Sequence, residues 1–589
     1  MTLEALEAWA PGRRRGIPLH SIGTPEGAAH LVMAAGGPAP TTAVAEFTPE
    51  GLLRVRLTAA QPGTLRFVAR VAVVDPVALW RPGSGPERGT LPPSWDAPRT
   101  TRDLADIPVG CLVGRHDVAL VGYGVAASGH AVDVRAGMVE ETGELLLEVH
   151  VEDALSAEIA LDLRHRPFCD SVHDLGGAIG LRREPASGHD LMPVLCTWYS
   201  FHQDLVVADL LDDARIASAL GIGTVIVDDG WQTMDAARGY GSCGDWEVAR
   251  GKIADPRALV RELDALGLRT LWWIGTPFIG YRSRTFQEAG VAIAYDEPGL
   301  DAAVLDPRSP HARATLVERL RALLADTGAH GFKIDFLERF AQDGDAPPSD
   351  ADHASIEQGA LRLLDDIAAL GEGEPLMIEF REPYITAAAL PRGTMFRVAD
   401  CPLSPLRNRR GIVDLRVLAP GIAVHGDPIM WTAADSPERV AQQLIASLFG
   451  VPQISVRLAG LSQAHRETLA HWLGFWGTHA DLLLRARLRV EGVDRDYAVV
   501  EGSADGVTVT VRYGDGAVAL HDDDRREWHV VNGGESGVVV LGLDRWPGVE
   551  YEIRDARGGK VGDGCRAFAA VEHLAVPAGG RLAVRPRAE

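Results

Sequence analysis

No stretch of the chain approaches the roughly 18 consecutive apolar residues that a membrane-spanning helix needs. Positive charge is in deficit: 58 Lys plus Arg face 81 Asp plus Glu, a net charge of −23. A surface that acidic repels phosphate backbones, which argues against nucleic acid as a partner. It suits a neutral small molecule as substrate. Cysteines are few and scattered, at Cys111, Cys169, Cys196, Cys243, Cys401 and Cys565, with no CxxC pair. Neither a disulfide framework nor a zinc site is expected, and each reads as a free thiol. The opening run MTLEALEAWAPGRRRG lacks the basic start, apolar middle and small-residue cleavage site of a signal peptide. A cytoplasmic location is therefore expected. There is no fixed-period repeat and no low-complexity segment.

What is present is globular: 46% hydrophobic and 24% charged residues over 589 positions. Single cores stop growing at roughly 250–300 residues, so two to four domains are expected. Residues 1–180 read as an N-terminal β-sandwich, from short runs such as LLRVRL, TLRFVARVAVV and ELLLEVHVE. Residues 485–589 carry similar runs and read as a C-terminal antiparallel β-sandwich. Between 190 and 480, apolar runs alternate with amphipathic stretches. The runs are PVLCTWYS, GTVIVDDG, LRTLWWIG, GFKIDF, PLMIEF, TMFRVAD, GIAVHGD and PQISVRL. Strand-then-helix order implies parallel strands, and eight such runs imply a (β/α)8 barrel. An open doubly wound sheet is the weaker alternative, because no GxGxxG or GxxxxGKS loop follows the first strand.

Barrel active sites sit at the C-terminal strand ends. There the runs carry Trp198 and Tyr199; Asp228, Asp229 and Trp231; Trp272 and Trp273; Lys333, Asp335 and Glu338; Glu379 and Arg381; Arg397 and Asp400; and His425 and Asp427. Carboxylates and cations bond hydroxyls, and Trp faces cover the apolar side of a sugar ring. Glycoside cleavage needs two carboxyl groups about the scissile bond. Lys333 stands two before Asp335, on the same strand face, where an ammonium keeps a carboxylate ionised. Arg397 stands three before Asp400 and need not share its face. Asp400 has to hold a proton, so its surroundings should raise its pKa.

Plainer readings stand beside these. A lone strand-end Asp is more often a helix cap. Asp228–Asp229 could form an Asx-turn before Gly230. Lys333 could be a structural partner of Asp335. Of Trp272 and Trp273, at most one faces the barrel centre. His425 with Asp427 is a weak metal signal without a second His.

Nine blocks, in order, resemble glycoside hydrolase family 36, whose members are mostly α-galactosidases: WYSFHQDL, IVDDGWQ, CGDWEV, GFKIDF, FREPYI, GTMFRVADCP, NRRGIVDLR, AVHGDPIMW and LFGVPQISV. The resemblance implies a retaining, exo-acting α-galactosidase with Asp335 as nucleophile and Asp400 as acid/base. It places Asp228 and Asp229 on the O4 and O6 hydroxyls of galactose and Lys333 on the ring hydroxyls. It favours Trp272 over Trp273 at the third strand end. Trp198, Trp231, Trp246, Arg381 and Arg397 complete the candidate sugar-binding set. No cofactor and no metal are implied, and a homo-oligomer is the favoured state. Two departures mark a divergent subgroup: FREPYI replaces a Cys-x-x-Gly-type loop, and CPLSPLRNRR follows Asp400. Alternatives are an α-galactosyl transferase of the raffinose-synthase type, a glycosidase for another glycon such as N-acetylgalactosamine, a non-catalytic sugar-binding barrel, and a metal-dependent hydrolase.

Overall fold

A computed structural model describes residues 17–19 and 31–586, apart from 39, 289, 343, 345, 372, 521–526 and 544–545. The opening run MTLEALEAWAPGRRRG, on which the expected location rests, lies outside the described residues. Among the described residues no helix is long and apolar enough to cross a membrane.

The centre is a parallel eight-stranded barrel. Its strands are β1 (Val194–Cys196), β2 (Thr224–Val227), β3 (Arg269–Gly275), β4 (Gly331–Asp335), β5 (Met377–Arg381), β6 (Met395–Arg397), β7 (Ala423–His425) and β8 (Gln453–Ile454). Each coincides with one of the eight apolar runs, β5 running one residue past its end. β8 pairs with β1, and main-chain bonds from the Val451 amide to the Val424 carbonyl and from the Gly426 amide to the Val451 carbonyl close the circle. The outer helices are α1 (Val207–Ala219), α2 (Pro256–Ala265), α3 (Pro310–Thr327), α4 (Ile356–Ala368), α5 (Pro405–Leu418), α6 (Pro437–Ala446) and α7 (Gln463–Arg485). Asp255, Ser309, Ser404 and Ser436 each accept a bond from the first turn of the helix that follows, with Pro at its start. Side-chain caps and a pre-set φ fix where these helices begin. After β5 there is only a short 3-10 turn, Leu390–Arg392.

The N-terminal region is an antiparallel ten-stranded sheet folded about its own core. LLRVRL and TLRFVARV, expected as separate short strands, lie on one 20-residue strand, Leu53–Ala72. It pairs with Glu144–Asp162, and register shifts between Val151, Ala154 and Ser156 let the pair bend instead of ending. Alternation gives the sheet two cores. Leu79 and Leu112 face the sandwich, whereas Trp80 and Cys111 face the barrel side. Helix Phe168–Ala178 fills that junction. A Cβ at Gly176 would fall 1.8 Å from the Leu418 carbonyl, so only glycine permits this approach to α5.

The C-terminal region holds a seven-stranded and a three-stranded sheet. Pairing is antiparallel except for Val507–Arg512 with Glu527–Asn532 and Val518–Leu520 with Val538–Leu543. The chain visits the other sheet between partners, so it returns in the same direction.

Asp414, on α5, is where the three regions meet. Its carboxylate accepts bonds from Trp80 (3.0 Å), Arg88 (3.0 Å), the Gly83 amide (3.2 Å) and the Tyr497 hydroxyl. Arg88 and Asp414 are both fully buried. Asp414→Ala should strand the Arg88 guanidinium in the interior and destabilise the chain by about 3–5 kcal/mol. Chemical unfolding should show that loss, and Asp414→Leu with Arg88→Met should recover most of it. A loss no larger than at an exposed aspartate would count against this role.

Candidate active site

The closed register decides which side chains enter the barrel. Trp273 pairs with Lys333, Lys333 with Glu379, and Arg397 with His425, so these residues share the inward face. Below them lies an apolar floor of Val194, Cys196, Ile226, Leu271 and Met395, with Trp198 packed against it.

Asp335 ends β4 and is 6% exposed. Its Oδ1 accepts the Phe336 amide (2.9 Å) and Arg381 Nε (2.6 Å), and its Oδ2 accepts Trp273 Nε1 (3.1 Å). Burial would raise its pKa, but Arg381, then Lys333 and Arg397, overcome this and hold it far below the carboxylate range. Phe336 takes the left-handed conformation (φ 66°), a strained geometry directly after this carboxylate. Its ring covers Arg381, as does Tyr384. Arg381 also bonds Glu338 (3.0 Å) and the Glu382 carbonyl. It therefore acts first as the counter-ion of Asp335.

Lys333 is buried and bonds Asp228 at 2.6 Å, not Asp335. Burial would lower the ammonium pKa, and Asp228 reverses this, so Lys333 stays charged. Asp228 also takes a contact from Cys196 Sγ (3.3 Å). Its neighbour Asp229 accepts Gln203 and Gln232, each at 2.7 Å. Burial pushes Asp229 up to about 6.

Arg397 is 1% exposed and meets Asp427 (2.5 Å), Asp400 (2.8 Å) and Glu379 (3.6 Å). The three-residue spacing left it open whether Arg397 and Asp400 share a face, and the two are in contact. β6 ends at Arg397, so strand alternation no longer applies, and the turn brings Asp400 back over the strand end. The Asp400 side chain is 60% exposed. Partial burial would raise its pKa, but Arg397 outweighs this, and Asp400 lies below its ordinary value. The expected raised pKa is thus reversed. Asp427 also accepts the Cys401 amide (2.8 Å) and the Tyr199 hydroxyl (3.2 Å), and burial lifts it to about 6.

Three tryptophans are placed otherwise than expected. Trp272 pairs with Phe332 on the outward face and bonds Thr327 of α3, so Trp273 takes the inward position. Trp231 is fully buried against Trp246 and Trp272 and bonds the Trp273 carbonyl. Trp246 is 1% exposed and edges on Trp273. Both support the site from behind. Trp198 sits at the mouth, partly exposed. His425 is committed to the Asp190 carbonyl (2.7 Å) and lies beside Gln453 (3.4 Å), and Asp427 to Arg397. Among the described residues no group of three or more His, Cys, Asp and Glu could hold a metal ion.

Trp273, Gln203, Gln232 and Tyr240, which stacks near Trp273 (5.9 Å), did not enter the candidate set. Only the parity of LRTLWWIG pointed to Trp273, and parity is ambiguous where both faces are apolar.

Neither a protein-family model nor a curated protein matches this chain by sequence. Solved structures do match. A GH36 α-galactosidase from Geobacillus stearothermophilus aligns with a TM-score of 0.60 at 14% identity, over 96% of this chain and 88% of that one. The chain has the GH36 α-galactosidase fold. The α-galactosidase from Lactobacillus brevis aligns at 0.62 and 12% identity, over 98% of this chain and 84% of that one. The α-galactosidase from Thermus thermophilus, solved with stachyose, aligns at 0.54 and 20% identity, over 78% of this chain and 99% of that one.

Asp229 offers a test of this electrostatic arrangement. Its folded pKa is raised, so its contribution to stability is full below the unfolded value of about 3.9 and is lost as pH rises through about 6. Asp229→Asn should flatten the decline in unfolding temperature between those values, removing a change on the order of 2 kcal/mol. An unchanged slope would contradict the assignment.

Proposed function

We propose that the protein is a retaining, exo-acting α-galactosidase with Asp335 as nucleophile and Asp400 as acid/base. The observation that carries this is the state of Asp335: a buried, ionised carboxylate at the barrel mouth with one oxygen less committed than the other. Oδ1 accepts two bonds, from Phe336 and Arg381, while Oδ2 accepts only Trp273. Oδ2 keeps a lone pair with which to attack the anomeric carbon.

Asp400 gives its proton to the leaving oxygen as the glycosidic bond breaks. The resting charge of Asp335 works to raise the Asp400 pKa. Once Asp335 is esterified, that charge is gone and Asp400 becomes more acidic. Arg397 then stabilises its anion, which takes a proton from water during hydrolysis of the intermediate. Asp228, Asp229 and Lys333 line the inner end of the site as acceptors and donor for sugar hydroxyls, and Trp198 and Trp273 supply apolar faces. Support for the galactoside as substrate is the shared fold with α-galactosidases, one of them solved with stachyose.

Asp335→Asn should lose several orders of magnitude in turnover of an aryl α-galactoside while keeping its unfolding temperature. Near-full activity would overturn the assignment, and preference for an aryl α-glucoside would overturn the sugar. Because Arg397 holds Asp400 low, wild-type kcat/KM should fall as pH rises from the mildly acidic range. A rate that stays flat through neutrality would remove Asp400 from the acid role.

A further inference from the structure

At the opposite, N-terminal face of the barrel lies a cavity of about 370 Å³. Three segments at the barrel enclose it, the lead-in to β1, the turn from α5 into β7 and the exit from α7, together with helix Phe168–Ala178, which contributes Cys169 and His173. Arg182, Arg183, Arg416, Arg485, Arg487 and His173 line it, together with apolar walls, and no described Asp or Glu does. In a chain with 81 acidic and 58 basic residues, a wall of that sign runs against composition.

Two of the arginines have carboxylate partners outside the lining, Arg485 with Asp481 (2.7 Å) and Arg487 with Asp170 (2.8 Å). The other three have no carboxylate at ion-pair distance among the described residues, though Glu50 lies in the field of Arg182. Arg416 donates only to main-chain carbonyls, of Phe449 (2.7 Å), Ala486 (2.9 Å) and Leu483. Arg183 likewise donates only to carbonyls, of Arg182 (3.0 Å), Gly180 (3.2 Å) and Ala387 (3.4 Å), and its buried Nε has no partner. Arg182 is exposed at the rim. Burial pushes Arg416 down to about 10, and His173 is lowered first by burial and then by Arg487 and Arg182. Carbonyls satisfy the hydrogen bonds of these cations but not their charge.

We propose that this cavity binds a phosphate group, either free or carried on a small organic molecule. Arg183 and Arg416, without counter-ions, and Arg182 at the rim carry more charge than one carboxylate neutralises. A dianion with three acceptor oxygens matches their charge and their forked donors. The occupant would bridge the three segments that enter and leave the barrel, and so brace the barrel against the C-terminal region. This proposal does not depend on the sugar chemistry at the other face.

Titration calorimetry and thermal unfolding of the whole chain provide the test, with inorganic phosphate, glycerol phosphate and sodium chloride at matched ionic strength. Either phosphate should bind saturably and raise the unfolding temperature, and chloride should not. Tighter binding of glycerol phosphate would assign the organic source, and equal or weaker binding the free ion. Arg416→Gln and the exposed Arg182→Ser should each weaken binding about tenfold or more. If Arg416→Gln does not fold, Arg182→Ser decides alone. No saturable binding, an equal effect of chloride, or unchanged affinity in Arg182→Ser overturns the proposal.

Discussion

Arg397 enters the barrel from β6 with almost no exposure, and a guanidinium can stay there only where carboxylates replace the water it has lost. Glu379 from β5, Asp427 after β7 and Asp400 after β6 supply that replacement. Each is held in turn. Glu379 accepts Gln453 of β8, and Asp427 accepts Tyr199, just past β1, and the Cys401 amide. One cation thereby ties together more than half the rim. Arg381 repeats the device one strand away, fixing Asp335 and Glu338.

Carboxyl groups outnumber cations in this site, and burial raises the pKa of several of them. Asp229 and Asp427 rise to about 6, and Glu338 and Glu379 rise as well, while Asp335 is driven the other way. Burial outweighs the nearby cation at Asp427, Glu379 and Glu338, whereas Arg381, Lys333 and Arg397 together outweigh it at Asp335.

The flanking sheets bear on the site through position. The Asp106 amide bonds the Pro383 carbonyl (3.0 Å), and the Leu104 amide bonds Glu357 (3.0 Å), so a turn of the N-terminal region props the loop after β5 and the start of α4. On the barrel flank Asp414 joins all three regions. A mouth built from strand ends keeps its geometry only if the loops above it are held, and these contacts hold them.

The sequence by itself determined the barrel. Eight apolar runs each coincided with one strand, and Ser or Asp followed by Pro marked helix starts at Asp255, Ser309, Ser404 and Ser436, because caps and backbone preferences are local. It also determined that Lys333 and Asp335 share a face, since two residues along a strand always do. The long strand Leu53–Ala72 was hidden because bulges interrupt the pattern without ending the pairing. Which Trp of the pair turns inward, that Trp231 and Trp246 lie behind the site, that Lys333 pairs with Asp228, and that Arg397 reaches Asp400 were decided only by the tertiary structure. Each depends on register between strands or on a turn past a strand end, where both faces are buried and the period-two signal is silent. The charge state of Asp400 belongs to the same class, because it follows from what surrounds the carboxyl and not from its neighbours in the chain.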